Sequence, residues 1–191
     1  MEKQHDSYVA EFVQNGHDKS FQIIAEHWYP AIYRFAYSYF GNRDDASEIA
    51  QKTLIKVYQN IRSLKEVGSF KSWIYRIANN LCLDELKRAG RRKSESLSLI
   101  PKELKLSELT PVTEIESKEL NSLIHQALNR LPEEVRAVVI LKQFEEMTFS
   151  EIGDTLQIPE GTAKTRMYKG LDLLGSILKQ WNIETDYLNY D

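Results

Sequence analysis

The sequence holds a single cysteine, Cys82, so no disulfide can form within one chain and a reducing compartment is the natural setting. Long apolar runs are missing too. Ala137 to Leu141 is the longest in the C-terminal half, far short of the roughly 20 residues a membrane span needs. The opening residues, MEKQHDSYVAEF, have neither the apolar core nor the small-residue cleavage site of a signal peptide. A cytoplasmic protein without membrane insertion is expected. The histidines His5, His17, His27 and His125 are scattered, with no Gly-rich phosphate loop, metal-ligand spacing or nucleophile–base pairing beside them. No catalytic residue, metal or cofactor is therefore expected, and the chain does not read as an enzyme. Alternating strand patterns, internal repeats and low-complexity tracts are also lacking.

What remains is a chain of 191 residues, 42% hydrophobic and 28% charged, which suits one large or two small ordered domains. Its formal net charge of −3 argues mildly against nucleic acid, but the charge is unevenly distributed. Lys71 to Lys93 carries seven bases against two acids, a net +5. Glu119 to Pro159 carries seven acids against three bases, a net −4, and Glu160 to Lys179 returns to +2. Alternating blocks of this kind fit a protein that meets DNA at two places and a protein partner elsewhere.

Helical periodicity dominates. Phe21, Ile24, Trp28, Ile32, Phe35 and Tyr39 place an apolar stripe on one helix, which Gly41-Asn42 ends. Asp44 or Asp45 is positioned to cap the next helix, with apolar positions Ile49, Thr53, Leu54, Val57, Tyr58 and Ile61. After the loop SLKEVGS, a third helix is expected from about Phe70 to Arg88, burying Phe70, Trp73 or Ile74, Ile77, Leu81 and Leu86. The Ser/Thr/Pro-rich stretch that follows lacks sustained periodicity and reads as a linker. Helical patterning resumes at Leu120, Ile124, Ala127 and Leu131, and Pro132 suits the first turn of the next helix. The expected fold is all-α: two small helical domains at 1–93 and 119–180, a flexible linker at 94–118, and an acidic tail at 181–191.

The second domain ends in EIGDTLQIPEGTAKTRMYKG. Thr148 and Glu151 form a T-x-x-E capping box, Pro159 stops the short helix, and Gly161 permits close backbone approach. On the following helix Ala163, Met167, Gly170, Leu171 and Leu174 share one face, at about 100° per residue. Thr165, Tyr168 and Lys169 lie opposite, flanked by Gly161 and Lys164. This is the layout of a helix-turn-helix, with Lys and Thr suited to phosphates or base edges. The same pattern also fits a solvated amphipathic face, and periodicity alone does not choose between them.

Three segments in order decide the matter by resemblance: DDASEIAQKTLIKVYQNI, FKSWIYRIANNLCLDELKRAGRR and LPEEVRAVVILKQFEEMTFSEIGDTLQIPEGTAKTRMYKGLDLL. From about Phe21 to Leu178 the chain resembles the extracytoplasmic-function (ECF, group IV) sigma factors of the sigma-70 family. The resemblance implies a dissociable subunit that binds core bacterial RNA polymerase and directs promoter-specific initiation. It implies docking on the clamp of the largest subunit through Asp45, Glu48, Gln51 and Lys52, and contact with the flap of the second largest. Lys52 departs from the family, which more often has Glu after the glutamine. The resemblance assigns −10 reading and melting to the polar face around Trp73, Arg76, Asn79, Asn80, Asp84 and Arg88, with the Ser63–Ser69 loop. Arg91 and Arg92, with Lys93, are implied to hold upstream phosphates. Duplex −35 DNA falls to Gly161, Lys164, Thr165, Tyr168 and Lys169; Arg166, on the flank, suits a phosphate contact or a structural ion pair. An anti-sigma protein is a further implied partner. A stand-alone helix-turn-helix regulator is the alternative, and it leaves the first two segments unexplained.

Overall fold

The computed structural model describes residues 2–64, 66–95 and 114–181, with side chains described for 7–64, 66–90 and 122–181. The described residues form α-helices and two short 3-10 turns, with no strand among them. The first bundle comprises α1 (Glu2–Asn15), α2 (Asp18–Phe40), α3 (Arg43–Asn60) and α4 (Phe70–Glu95). The second comprises α5 (Glu114–Asn129), α6 (Glu133–Gln143), α7 (Phe149–Leu156) and α8 (Glu160–Gln180). The all-α organisation in two helical domains is the one the sequence pattern leads to.

In the first bundle the expected stripe of α2 is buried at Ile24, Ile32, Phe35 and Tyr39, against Ile49, Val57 and Ile61 of α3 and Ile74 of α4. Each such side chain removed from water contributes about 1.5–3 kcal/mol. Gly41 adopts a left-handed conformation (φ 68°) and its N–H donates to the Tyr37 carbonyl at 2.8 Å. That closes α2 as the Gly-Asn pair led us to expect. The cap of α3 differs from expectation: Asn42, not Asp44 or Asp45, is the N-cap, accepting from the Asp45 N–H at 2.8 Å. α1 was not anticipated. Its short apolar set seats Val9 and Phe12 in the core, with the Phe12 ring 5.2 Å from Phe21 and 5.5 Å from Tyr58.

α4 runs past the expected end at Arg88 to Glu95, and its buried face is rotated. Ile74, Tyr75, Ala78 and Cys82 are buried, whereas Trp73, Ile77, Leu81 and Leu86 are only partly so. The rotation arises because α4 packs on two sides, against the first bundle and against α7. α4 and α5 both enter the stretch expected as linker, at Glu95 and Glu114; residues 96–113 lie outside the described residues, as does the tail beyond Trp181.

The second bundle centres on α6, whose residues Val135 to Leu141 are all buried. Pro132 is its N-cap rather than a first-turn residue. Arg136 is buried within this bundle and donates to the Asn129 side chain and carbonyl, both at 2.9 Å, closing the end of α5.

Candidate nucleic-acid interface

The α7–α8 pair is built from its caps outward. Thr148 Oγ1 accepts from the Glu151 N–H at 3.2 Å, and the Glu151 carboxylate accepts from the Thr148 N–H at 2.7 Å, completing the capping box. Burial pushes the Glu151 carboxyl up, but the Thr148 hydrogen bonds and nearby Lys71 outweigh it and hold it below the usual carboxylate range. α7 ends before Pro159: Gln157 takes the left-handed conformation (φ 57°), and Pro159 instead caps α8. The expected close approach at Gly161 also moves. A Cβ there meets nothing within 4 Å, whereas one at Gly153 lies 2.9 Å from the Ile158 carbonyl oxygen. One at Gly170 lies 2.5 Å from Val139 Cγ2. Gly153 and Gly170 are therefore the residues that let the helices meet.

Ala163, Met167, Gly170 and Ile177 turn the inner face of α8 into the core. Leu171, expected on that face, is 44% exposed, because the buried stripe runs through Met167, Gly170 and Ile177 and leaves it to one side. Gly161, Lys164, Thr165, Tyr168 and Lys169 all lie exposed, with Tyr168 at 64%. Lys164 pairs with Glu160 at 2.6 Å, and that hydrogen bond and charge raise its ammonium above the ordinary lysine range. Thr165 Oγ1 donates to the Gly161 carbonyl at 2.9 Å. Arg166 is partly buried and ion-paired with Glu134 of α6. Of the two roles expected for it, the ion pair is the one seen.

The face of α4 is more divided. Asn80, Asp84 and Arg88 are exposed, Arg88 pairing with Glu85 at 3.1 Å. Asn79 is buried, accepting from the Tyr39 hydroxyl at 2.6 Å, and so props the core of the first bundle. Trp73 is half-buried with its ring 6.0 Å from Phe70. Arg76 reaches out of the bundle: its guanidinium donates to the Asp154 carbonyl at 2.6 Å and the Thr155 carbonyl at 3.3 Å, both in the last turn of α7. The side chains of Arg91, Arg92 and Lys93 lie outside the described residues. On α3, Glu48 and Gln51 are exposed and Asp45 and Lys52 half-exposed, with Lys52 paired to Glu48. Ile55, one turn further on, is an exposed apolar side chain that the sequence pattern did not single out.

Residues 24–92 match the model for Sigma-70 region 2, and residues 122–174 match that for Sigma-70, region 4. The chain belongs to the sigma-70 family. Within it, the ECF RNA polymerase sigma factor SigW of Bacillus subtilis (strain 168) is 33% identical over 175 residues, spanning 87% of this chain and 93% of SigW. The ECF RNA polymerase sigma factor SigE of Mycolicibacterium smegmatis (strain ATCC 700084 / mc(2)155) is also 33% identical, over 81% of this chain and 60% of its own length. This sigma factor is therefore of the ECF type, an alternative sigma factor that directs transcription initiation with core RNA polymerase on promoter DNA. Its family is not in general a family of enzymes. Among solved structures, CnrH in complex with the cytosolic domain of CnrY gives a TM-score of 0.69 at 14% identity, covering 92% of this chain and 97% of CnrH. RpoE from Bartonella quintana, in complex with the anti-sigma factor NepR, gives 0.66 at 22% identity, covering 84% and 98%. Both share the fold. No helix among the described residues is long and apolar enough to cross a membrane.

Proposed function

We propose that this sigma factor, of the group IV branch, reads duplex −35 DNA through Gly161, Lys164, Thr165, Tyr168 and Lys169, with Arg166 fixing α8 on α6. What supports this is the outward row itself: on a helix whose inner face is locked by Gly170 against Val139, these side chains are exposed. Lys and Thr there reach phosphates and base edges in a major groove. The Ser63–Ser69 loop and the α4 face, through Trp73, Arg76, Asn80, Asp84 and Arg88, capture melted −10 DNA, Asn79 serving from within the core. Holding an unstacked base and its phosphates offsets the free energy of opening the duplex. Arg91 and Arg92 hold upstream phosphates, and Asp45, Glu48, Gln51 and Lys52 dock on the polymerase clamp. The domain boundaries at 93 and 119 follow this division of labour. The chain works in the cytoplasm and carries no catalytic step of its own. Because RpoE is solved with an anti-sigma factor, an anti-sigma partner is carried over to this chain.

Run-off transcription with purified core polymerase on fragmented genomic DNA tests the reading. Start sites that depend on the added protein are expected, and their absence overturns it. Replacing Lys164 and Thr165 by Ala is expected to cut discrimination at the −35 element about tenfold, the scale of one good base contact, with core binding intact. Loss of core binding instead would overturn the assignment.

A further inference from the structure

The outward row of α8 opens with an acid. Glu160, the first residue of the helix, is exposed and is the single carboxylate among residues 160–169. Its Oε1 lies 2.6 Å from Lys164 Nζ, with both side chains half-exposed. The ammonium has a second neighbour: Lys164 Nζ stands 5.9 Å from the centre of the Phe149 ring, at the start of α7. Lys142 sits over the same ring at 5.1 Å and donates to the Met147 carbonyl at 3.1 Å, which ties that ring to the turn after α6. Each cation is attracted by the ring quadrupole, so Lys164 is held on two sides. Gly161, the next residue along, sets no side chain beside the pair, and a Cβ there would meet open space. A flat edge can therefore approach both charged groups together.

A solvated ion pair at this spacing stabilises a helix only slightly. Against DNA its carboxylate is unfavourable, because phosphate repels it, unless the groove supplies a donor. An ionised carboxylate only accepts and an ammonium only donates. The major-groove edge of a G·C pair offers the complement in order: guanine N7 and O6 accept, and the cytosine N4 amino group donates at the far end. Guanine O6 and cytosine N4 are themselves hydrogen-bonded, about 2.9 Å apart, close to the 2.6 Å between the two side-chain atoms. In an A·T pair the adenine amino group lies between two acceptors, N7 and thymine O4. A carboxylate reaching it meets N7 even when the ammonium takes O4. We propose that Glu160 is a specificity-determining residue that, with Lys164, reads one G·C base pair of the −35 element as a unit. The ammonium takes guanine and the carboxylate takes the cytosine amino group. The inference rests on the reading of α8 as the −35 surface.

The test uses the full chain on core polymerase and a promoter found by run-off, with each −35 base pair changed in turn. The wild type is expected to prefer G·C to A·T about tenfold at one position, and Glu160→Ala to flatten that preference alone. At the same position, 2-pyrimidinone in place of cytosine removes the N4 amino group. It is expected to weaken wild-type binding about tenfold and Glu160→Ala binding far less, since the two changes delete one contact. Glu160→Gln keeps the length of the side chain, and Gln pairs with adenine N6 and N7. The preference is therefore expected to move toward A·T, whereas a misfolded helix would lose preference at every position. A Glu160→Ala variant that keeps every preference, or binds all sequences more tightly by one common factor, overturns the proposal. Flattening by Lys164→Ala but not by Glu160→Ala sinks the pair alone. Lys164→Ala and Lys169→Ala variants that keep every −35 preference sink the reading of α8 itself.

Discussion

α4 and α8 are the two basic helices of the chain, and their polar residues meet the surroundings on different terms. On α8 the outward residues Thr165, Tyr168 and Lys169 are exposed, and the Thr165 hydroxyl bonds the Gly161 carbonyl of the same helix, so the surface is set by one helix and its caps. On α4 the corresponding residues are already committed: Asn79 to Tyr39 in the core and Arg76 to α7 across the domain boundary. A recognition surface on the edge of a small domain can be read as it stands. One shared between two domains has its residues divided among packing, interdomain contact and binding, and only substitution separates these roles.

The largest expected effect tests how α8 is held. Gly170 faces Val135 and Val139 in the buried stretch of α6, and its missing Cβ would lie 2.5 Å from Val139 Cγ2. Gly170→Val forces overpacking on a helix that has nowhere to move, and is expected to cost roughly 3 kcal/mol. Gly161→Ala is the contrast. Its Cβ enters open space, and stability should change by less than about 1 kcal/mol. Urea denaturation of the two variants checks this; equal effects would mean that the helix pair is not closed where the geometry says.

The next effect separates core from surface on α4. Asn79→Ala leaves the buried Tyr39 hydroxyl without its acceptor and is expected to cost about 2 kcal/mol. Asn80→Ala, on an exposed position, should stay within about 0.5 kcal/mol yet lower run-off yield. If Asn80→Ala destabilised as much as Asn79→Ala, the division of the two amides between core and DNA would be wrong.

Much of this was legible from periodicity because most of these helices bury one face. The α2 stripe, its Gly41 end, the Thr148–Glu151 box and the outward row on α8 all follow from local spacing and local hydrogen bonds. What escaped depends on partners distant in sequence. The rotation of α4 toward Tyr75 and Ala78 needs α7 on its far side, 78 or 79 residues on. Gly170 rather than Gly161 as the contact glycine depends on where α6 lies. Arg76 looked like any basic residue on a polar face, since nothing near it in sequence shows the carbonyls it caps. The side chains of Arg91 and Arg92 fall outside the described residues, so their role rests on the family resemblance.

The smallest expected effect concerns the second contact between the domains. His125 packs on Tyr37 and on Gly41, whose Cβ would lie 3.2 Å from the ring. Burial lowers its pKa from the ordinary histidine value, and contact with the Ser38 backbone opposes this only in part. The packed state therefore favours the neutral ring, while the opened or unfolded chain binds the proton more readily. The stability that this gives is intact above about pH 6.5 and is lost as pH falls through the lowered value of the packed state. Glu145, which accepts from the Tyr75 hydroxyl across the same boundary, titrates with the opposite sign, since burial raises its carboxyl and protonation there favours the packed state. The measurement is therefore made in a Glu145→Gln background. Between pH 7.5 and 5.5 the interdomain distance, read between spin labels at the exposed sites Gln59→Cys and Asp172→Cys with buried Cys82 spared, should lengthen. His125→Gln should abolish that response. A response unchanged by His125→Gln would assign the pH dependence to another group and leave α5 a passive contact.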